Sequence, residues 1–427
     1  MRRTLRLLGC VLALLFSEAS AAELADIVGR TDSATRWEKR AEHDAEGART
    51  IDVDLASQTW RGKVWHHALH VTVPDHPRHP DMAVLVISGD GTRSFVDDAR
   101  LAADAGVAVA VLNNVPNQPL WHAREDDLIA YTFEQYLKTQ DFDWPLLFPM
   151  TRAAVRAMDA VTDLAARERG LAIRRFIVTG ASKRGWTTWL TAAVDARVVG
   201  IAPVVFDNVN FAAQMRNQMA VWGRYSEMLG DYTERSLQAM IETERGRALV
   251  SRVDPYAYRE ALARPAKLLV NGSNDPYWEL DAVNVYWSDL GGAKSLLAVP
   301  NAGHDAGSDS RVPPTLAAFV ARIAEGRPMP NLHWVDSSEP AVAAFDSDEE
   351  PTAVRLWCTE SPTRDFRRAR WVSRTAARRG DRFVAETPAP ERGFAACFAE
   401  AEYATPRGPL TLSTPVRITA SPGIASP

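Results

Sequence analysis

Residues 174–186, Arg-Arg-Phe-Ile-Val-Thr-Gly-Ala-Ser-Lys-Arg-Gly-Trp, read as an apolar strand that breaks into a helix at a serine. A serine on such a turn has its hydroxyl lifted clear of the sheet, and the helix behind it aims backbone N–H groups where an oxyanion would form. Ser182 is therefore the candidate nucleophile. Two more apolar runs end in the groups an activated serine needs: Leu268-Leu-Val-Asn-Gly-Ser-Asn-Asp275 and Leu296-Leu-Ala-Val-Pro-Asn-Ala-Gly-His304. Serine is a poor nucleophile without a base, and the base needs a carboxylate to fix its tautomer and stabilise its cation. Singly, Ser182 reads equally well as an N-cap, Asp275 as a turn residue before Pro276, and His304 as a loop histidine. Together, in this order and each just past a strand, they make a Ser-Asp-His set for acyl transfer, a chemistry that needs no cofactor and no metal.

The first oxyanion donor expected is the Lys183 N–H, directly after the nucleophile. The second should come from the loop Ser88-Gly-Asp-Gly-Thr92, with the Asp90 N–H favoured and Gly91 next. Arg184 stands where the usual Gly-x-Ser-x-Gly turn has its second glycine, and Gly185 comes one place late. Arg124, Glu125, Asp126 and Asp127 open a helix soon after a strand end; they are expected either to shape the pocket or to serve as helix-start charge favoured by the macrodipole.

Parallel strands deliver three such groups to one edge. Apolar runs at 83–88 and 107–112 read as inner parallel strands, and alternation across residues 60–73 predicts an antiparallel strand pair before them. Helical patterns follow at about 124–138 and 150–169, then the serine strand and its helix, then a strand near 201–206. This alternation predicts a covered parallel sheet. Between 207 and about 262 the pattern turns to amphipathic helix with Phe211, Met215, Met219, Trp222, Tyr225, Met228, Tyr232 and Met240. That insertion reads as a lid above the strand ends, or as ordinary helix-on-sheet packing. The βα pattern resumes to a helix at about 312–324. The expected divisions are an export signal at 1–22, an α/β domain at 23–327 carrying the lid, and a small C-terminal β-sandwich at 328–427, fibronectin-like in its strand spacing.

With 427 residues, two or three structural units are expected. The formal charge of -5 is too mild to point to a polyanionic partner, so no nucleic acid is expected. Arg2, Arg3 and Arg6 ahead of the run Leu7 to Phe16, with small residues at Ala19-Ser-Ala21, predict cleavage and a periplasmic or secreted protein. No later run reaches the ~20 apolar residues of a spanning helix, so no integral membrane segment is expected. Removal of Cys10 with the signal leaves Cys358 and Cys397, which in an exported protein either pair or stay as separate buried thiols. His66 and His70 share a strand face, but no carboxylate or cysteine stands at metal spacing, so surface histidines are expected there. Eight arginines between Arg364 and Arg382 read as a solvated strand face, or as a weak contact for an anionic cell surface.

The segments Val115-Pro-Asn-Gln-Pro-Leu120, Glu125-Asp-Asp-Leu-Ile-Ala-Tyr131, Trp144-Pro-Leu-Leu-Phe-Pro-Met150, Ala157-Met-Asp-Ala-Val161, Thr179-Gly-Ala-Ser-Lys-Arg-Gly-Trp186, Asp254-Pro-Tyr256, Asn274-Asp-Pro276 and Val299-Pro-Asn-Ala-Gly-His304 resemble the PhoPQ-activated pathogenicity-related proteins. The resemblance spans residue 60 to the C-terminus. It implies an α/β-hydrolase fold, the Ser-Lys-Arg-Gly form of the serine turn, the roles given to Ser182, Asp275 and His304, and export from the cytoplasm. It names no substrate. The expectation is an exported serine hydrolase acting on a small-molecule or peptide substrate, through an ester or an amide bond. The other class kept open is a non-catalytic secreted binding or signalling protein on a hydrolase scaffold.

Overall fold

The computed structural model describes residues 23–424 apart from 46, 92–94, 338 and 340; the expected export signal lies outside the described residues. Strands β1 (Arg36–Ala45), β2 (Ala48–Trp60) and β3 (Lys63–Pro74) form an antiparallel meander. The alternation across 60–73 is thus not a strand pair. It is almost all β3, and the partner strand lies upstream, because the turn falls at Arg61-Gly62, where both residues have positive φ.

Strands β4 (Met82–Ile87), β5 (Ala108–Leu112), β6 (Arg175–Ala181), β7 (Val198–Val204), β8 (Ala266–Gly272) and β9 (Lys294–Val299) are parallel, in the order β5-β4-β6-β7-β8-β9, with β3 antiparallel against β5. Helices α1 (Asp98–Ala105), α2 (Glu125–Thr139), α3 (Leu147–Arg169) and α4 (Lys183–Val194) punctuate the first of these strands. The stretch between β7 and β8 holds α5 (Phe211–Trp222), α6 (Gly230–Thr233), α7 (Leu237–Met240) and α8 (Glu244–Val253); α9 (Val312–Ala324) follows β9. Every residue of β4 is buried, because successive side chains feed opposite faces and both faces are covered. Ala83, Leu85 and Ile87 join the core under α3 and α4, while Met82, Val84 and Val86 join the core under α1 and α9. The chain moves from β4 to β5 on one side and then crosses to β6 on the other. Ligand crevices form at the carboxyl ends of strands beside such a reversal.

Nine further strands follow among the described residues: β10 (Leu332–Val335), β11 (Val342–Ser347), β12 (Ala353–Ser361), β13 (Val372–Thr375), β14 (Ala377–Arg379), β15 (Arg382–Glu386), β16 (Phe394–Tyr403), β17 (Leu410–Ser413) and β18 (Arg417–Ala420). They make two antiparallel sheets. One is β10-β11-β15-β14; the other, β17-β16-β12-β13 with β18 against β16, extends the main sheet through β17 and β9, where Ser413 faces Leu296. The pair is sandwich-like, with Phe345 of one sheet and Leu356, Ala399 and Leu410 of the other in the same core as Phe319 of α9.

Cys358 and Cys397 are opposed in register between β12 and β16 and are joined by a disulfide. Their separation of 39 residues sets the size of the closed loop. The chain-entropy model then gives a stabilisation of about 4 kcal/mol. We expect Cys358→Ala/Cys397→Ala to lower the denaturation midpoint correspondingly, and a reductant to lower the midpoint of the native protein but not of the variant. Equal midpoints for the two proteins would contradict this.

Among the described residues no group of three or more His, Cys, Asp or Glu is placed to hold a metal ion. His66 and His70 face Asp54 and Asp52. His67, between them in sequence, is turned into the core by β3. It lies between the Ser57 hydroxyl at 2.9 Å and the Asn113 carbonyl at 3.1 Å. A carbonyl only accepts, so Nδ1 carries the proton and Nε2 accepts from Ser57, which is the neutral ring. Burial pushes its pKa down to about 4. The unfolded chain therefore takes up a proton below about pH 6.5 that the folded chain refuses, and stability present above that pH is lost as pH falls toward 4. The loss is roughly 3 kcal/mol. Urea midpoints measured from pH 7 to 4 should fall less steeply for His67→Gln than for the native protein; parallel slopes would contradict the assignment.

Candidate active site

Ser182 sits between β6 and α4 with φ 57° and ψ −126°, a conformation that non-glycine residues occupy under strain. Its N–H donates to the Val204 carbonyl at 2.8 Å, and its carbonyl accepts from the Trp186 N–H at 3.0 Å. These bonds hold the turn from both sides. A Cβ on Gly180 would lie 2.7 Å from the Arg184 carbonyl oxygen, and one on Gly185 would lie 3.0 Å from Phe206 Cβ. The close approach of helix to strand is therefore made at Gly180 and Gly185. That arrangement is why an arginine is tolerated two residues after the serine: its backbone packs on Gly180 while its side chain leaves the turn.

The carboxyl ends of β6, β8 and β9 bring the three expected residues together. His304 Nε2 lies 2.9 Å from Ser182 Oγ, and Nδ1 lies 2.8 Å from Asp275 Oδ2. The second oxygen, Oδ1, accepts from the Tyr277 N–H at 2.9 Å. A carboxylate accepts only, so Nδ1 bears the ring proton and Nε2 is left to accept from the serine hydroxyl. Asp275 is buried, and the Tyr277 ring packs on His304 with centroids 4.1 Å apart. The Lys183 N–H begins α4 at the position next to the serine.

Acidic residues at the start of α2 meet the serine turn. Arg184 donates to both oxygens of Glu125 at 2.6 and 2.7 Å and to the Val115 carbonyl at 2.6 Å. Lys183 Nζ lies 2.9 Å from Glu125 and 3.0 Å from Asp126, with its side chain 9% exposed. Burial opposes ionisation of Glu125, but Arg184 and Lys183 outweigh it and hold the carboxyl well below the usual carboxylate range. Asp126 also accepts from the Tyr232 hydroxyl at 3.0 Å, and Asp127 pairs with Arg235 at 2.5 Å. Asp126 thereby links the insertion to the turn, and Asp127 ties the insertion to α2. The fourth residue of the group, Arg124, pairs with the Asp90 carboxylate at 2.8 Å. Ile87 pairs in register with Gly180, so the Asp90 loop leaves the sheet beside the serine turn, and Gly89 lies against the Arg184 guanidinium.

Above the serine lies a largely apolar cavity that opens to solvent. Ser182, Lys183 and Trp186 line one side, Phe133 and Leu137 of α2 another, Tyr277 and Trp278 a third, and Phe211, Met215, Leu237 and Leu249 of the insertion cover it. Of the aromatic and methionine stripe of the insertion, Phe211, Met215, Tyr232 and Met240 line the cavity, while Met219 and Met228 are exposed. Asp90 is not among the lining residues.

Residues 24–367 match the family model described as PhoPQ-activated pathogenicity-related protein. The chain belongs to this family. It is 28% identical over 445 residues to autocrine proliferation repressor protein A of Dictyostelium discoideum, covering 93% of this chain and 89% of that protein. Its structure is similar to an acetyl xylan esterase from Paenibacillus sp. R4, with TM-score 0.50 and 16% identity, over 74% of this chain and 94% of that one. An S-formylglutathione hydrolase from Agrobacterium tumefaciens aligns with TM-score 0.43 and 16% identity, over 68% of this chain and 96% of that one. The fold is that of the α/β-hydrolases.

In this member of the family the C-terminal strands reach back to the site. Between β12 and β13, the carbonyls of Phe366, Arg367 and Ala369 accept from the Asn274 side chain at 3.2, 3.2 and 2.7 Å, while Asn301 exchanges two hydrogen bonds with the Trp371 backbone. Asn274 adjoins Asp275, and Asn301 stands in the loop that carries His304. The same segment sends Arg364 to Asp281, and Arg367 to Glu227 and over the Trp222 ring. The sequence alone predicts a solvated or cell-facing surface for these arginines. Several are instead committed within the chain, because a long loop between two strands folds onto the acid and histidine loops. Only Asn274 and Asn301 hinted at this, each a side chain able to bond backbone on both sides.

Proposed function

We propose that this protein is a serine hydrolase that cleaves an ester or amide bond through an acyl-enzyme on Ser182. The observation that carries the reading is the continuous hydrogen-bond series from Ser182 through His304 to buried Asp275, set on a strained turn that opens into a cavity. His304 takes the hydroxyl proton as Ser182 Oγ attacks the carbonyl carbon. Asp275 holds the ring in its Nδ1–H tautomer and stabilises the imidazolium. The tetrahedral oxyanion takes the Lys183 N–H and an N–H from the Asp90 loop, Asp90 itself or Gly91. Collapse expels the alcohol or amine with the proton from His304. Water activated by His304 then releases the acid and restores the serine.

No step calls for a metal or a cofactor. We assign action outside the cytoplasm on the strength of the N-terminal segment 1–22, and note that no helix among the described residues is long and apolar enough to cross a membrane. The name of the Dictyostelium relative speaks of repressing proliferation, which favours the binding or signalling reading. An ordered nucleophile, base and acid has no purpose in a passive scaffold, so the enzyme reading leads. Purified mature protein should hydrolyse activated esters, and Ser182→Ala should not. Equal rates for the two proteins would overturn the reading.

A further inference from the structure

We propose that the site takes substrates whose acyl part is a long or bulky hydrocarbon, bound in the cavity between the serine turn and the insertion. This rests on the serine-hydrolase reading and specifies it. The cavity begins at Ser182, Lys183 and Trp186, which places its near end at the serine that would carry the acyl group. Its walls are hydrocarbon over most of their extent: Phe133 and Leu137 on α2, and Met215, Leu237 and Leu249 on the insertion. Its lining reaches from Ser182 to Leu237, Leu249 and Val250 of the insertion, well beyond what an acetyl group on the serine would touch. Apolar walls of this kind gain from displacing water with hydrocarbon, and polar reach into the cavity is confined, among the described residues, to two unpaired acceptors, Asn208 Oδ1 and Gln238 Oε1.

The charged groups nearby are already satisfied, which narrows the choice further. Lys183 is paired with Glu125 and Asp126, and Asp126 also accepts from Tyr232, so the polar end of the cavity presents a neutralised cluster. Recognition of an anionic or cationic acyl end would require breaking that cluster. The insertion, tethered by Tyr232 and Arg235 to Asp126 and Asp127, supplies the far wall and therefore sets the length accepted.

The test uses the full mature protein. Labelling by a small fluorophosphonate is measured first; absence of labelling on folded protein sinks the serine-hydrolase reading, and this proposal with it. With labelling present, kcat/KM is compared along p-nitrophenyl acetate, butyrate and octanoate, and separately for ethyl and octyl acetate. Each buried methylene is worth about fourfold, so partial burial of the chain predicts at least a tenfold rise from acetate to octanoate. The acetate pair should differ by less than threefold. Leu249→Trp should lower the octanoate-to-acetate ratio at least fivefold, and Leu249→Ala should move the preferred chain length upward; either variant suffices if the other fails to fold. Preference for acetate, or dependence on chain length only in the alcohol, would overturn the assignment.

Discussion

Ser182→Ala is expected to lower kcat for ester hydrolysis by about 10⁴-fold or more, His304→Ala by a similar factor, and the double variant by little more than either. The reason is that the two act as one device. In the proposed mechanism Ser182 Oγ gives its proton to His304 Nε2, 2.9 Å away, so loss of either group removes the same step. Asp275→Asn should cost about 10³ to 10⁴, because an amide at Oδ2 can present a donor to His304 and favour the wrong tautomer. The Tyr277 N–H can still be met by the remaining carbonyl of the asparagine, so the loop keeps its shape. Folding of each variant is checked by its denaturation midpoint. A Ser182→Ala protein that retains a tenth of the native kcat would show that the chemistry lies elsewhere.

The second large effect falls on Arg184, which never touches substrate in this account. Its guanidinium bridges Glu125, the Val115 carbonyl and the space beside Gly89, with its side chain 12% exposed. Arg184→Ala removes all of these and leaves Glu125 with Lys183 and Gln118. Breaking a buried pair costs about 3–5 kcal/mol, and the partial exposure of Glu125 reduces this to about 2–3 kcal/mol. Because Arg184 is two residues from the nucleophile, loss of its anchor should also let the turn shift, and misplacement by about 1 Å is worth about 100-fold in rate. The expected result is a lower urea midpoint together with a 10- to 100-fold fall in kcat and little change in KM. Arg184→Lys should recover only part of either, since an ammonium cannot make the two-pronged contact. A variant within about 0.5 kcal/mol of the native protein and within twofold in kcat would contradict the positioning role.

What the sequence made legible was the local pattern. The apolar runs of the parallel strands, the Ser-Lys-Arg-Gly turn, and the acid and histidine at later strand ends are all short-range signals, governed by periodicity and by the turn chemistry of a few residues. The contribution of the C-terminal strands was not legible. That Asn274 and Asn301 are held by residues 366–371 depends on a contact across roughly 70 to 95 positions of chain, which no local pattern encodes. The strand β2 does carry the period-two signal, Ile51, Val53 and Leu55 alternating with Asp52 and Asp54, and the meander supplies partners for the two aspartates in His70, Arg40 and His66. For the charged groups the local pattern leaves two roles open, pocket or helix start for Glu125, solvated face or anionic-surface contact for the arginines, because the deciding partners lie far away in sequence: Glu125 with Arg184, Arg364 with Asp281, Arg367 with Glu227. The buried His67 escaped for the same reason, since its two partners come from β2 and from the residue after β5.

The most direct measurement is intact-mass analysis of the mature protein after treatment with a fluorophosphonate probe, beside Ser182→Ala and His304→Ala. The account predicts one adduct per native chain, located on Ser182 by peptide mapping, none on Ser182→Ala, and labelling slowed by at least 10³-fold on His304→Ala. Folded native protein that takes up no probe, or an adduct that persists in Ser182→Ala, would contradict it.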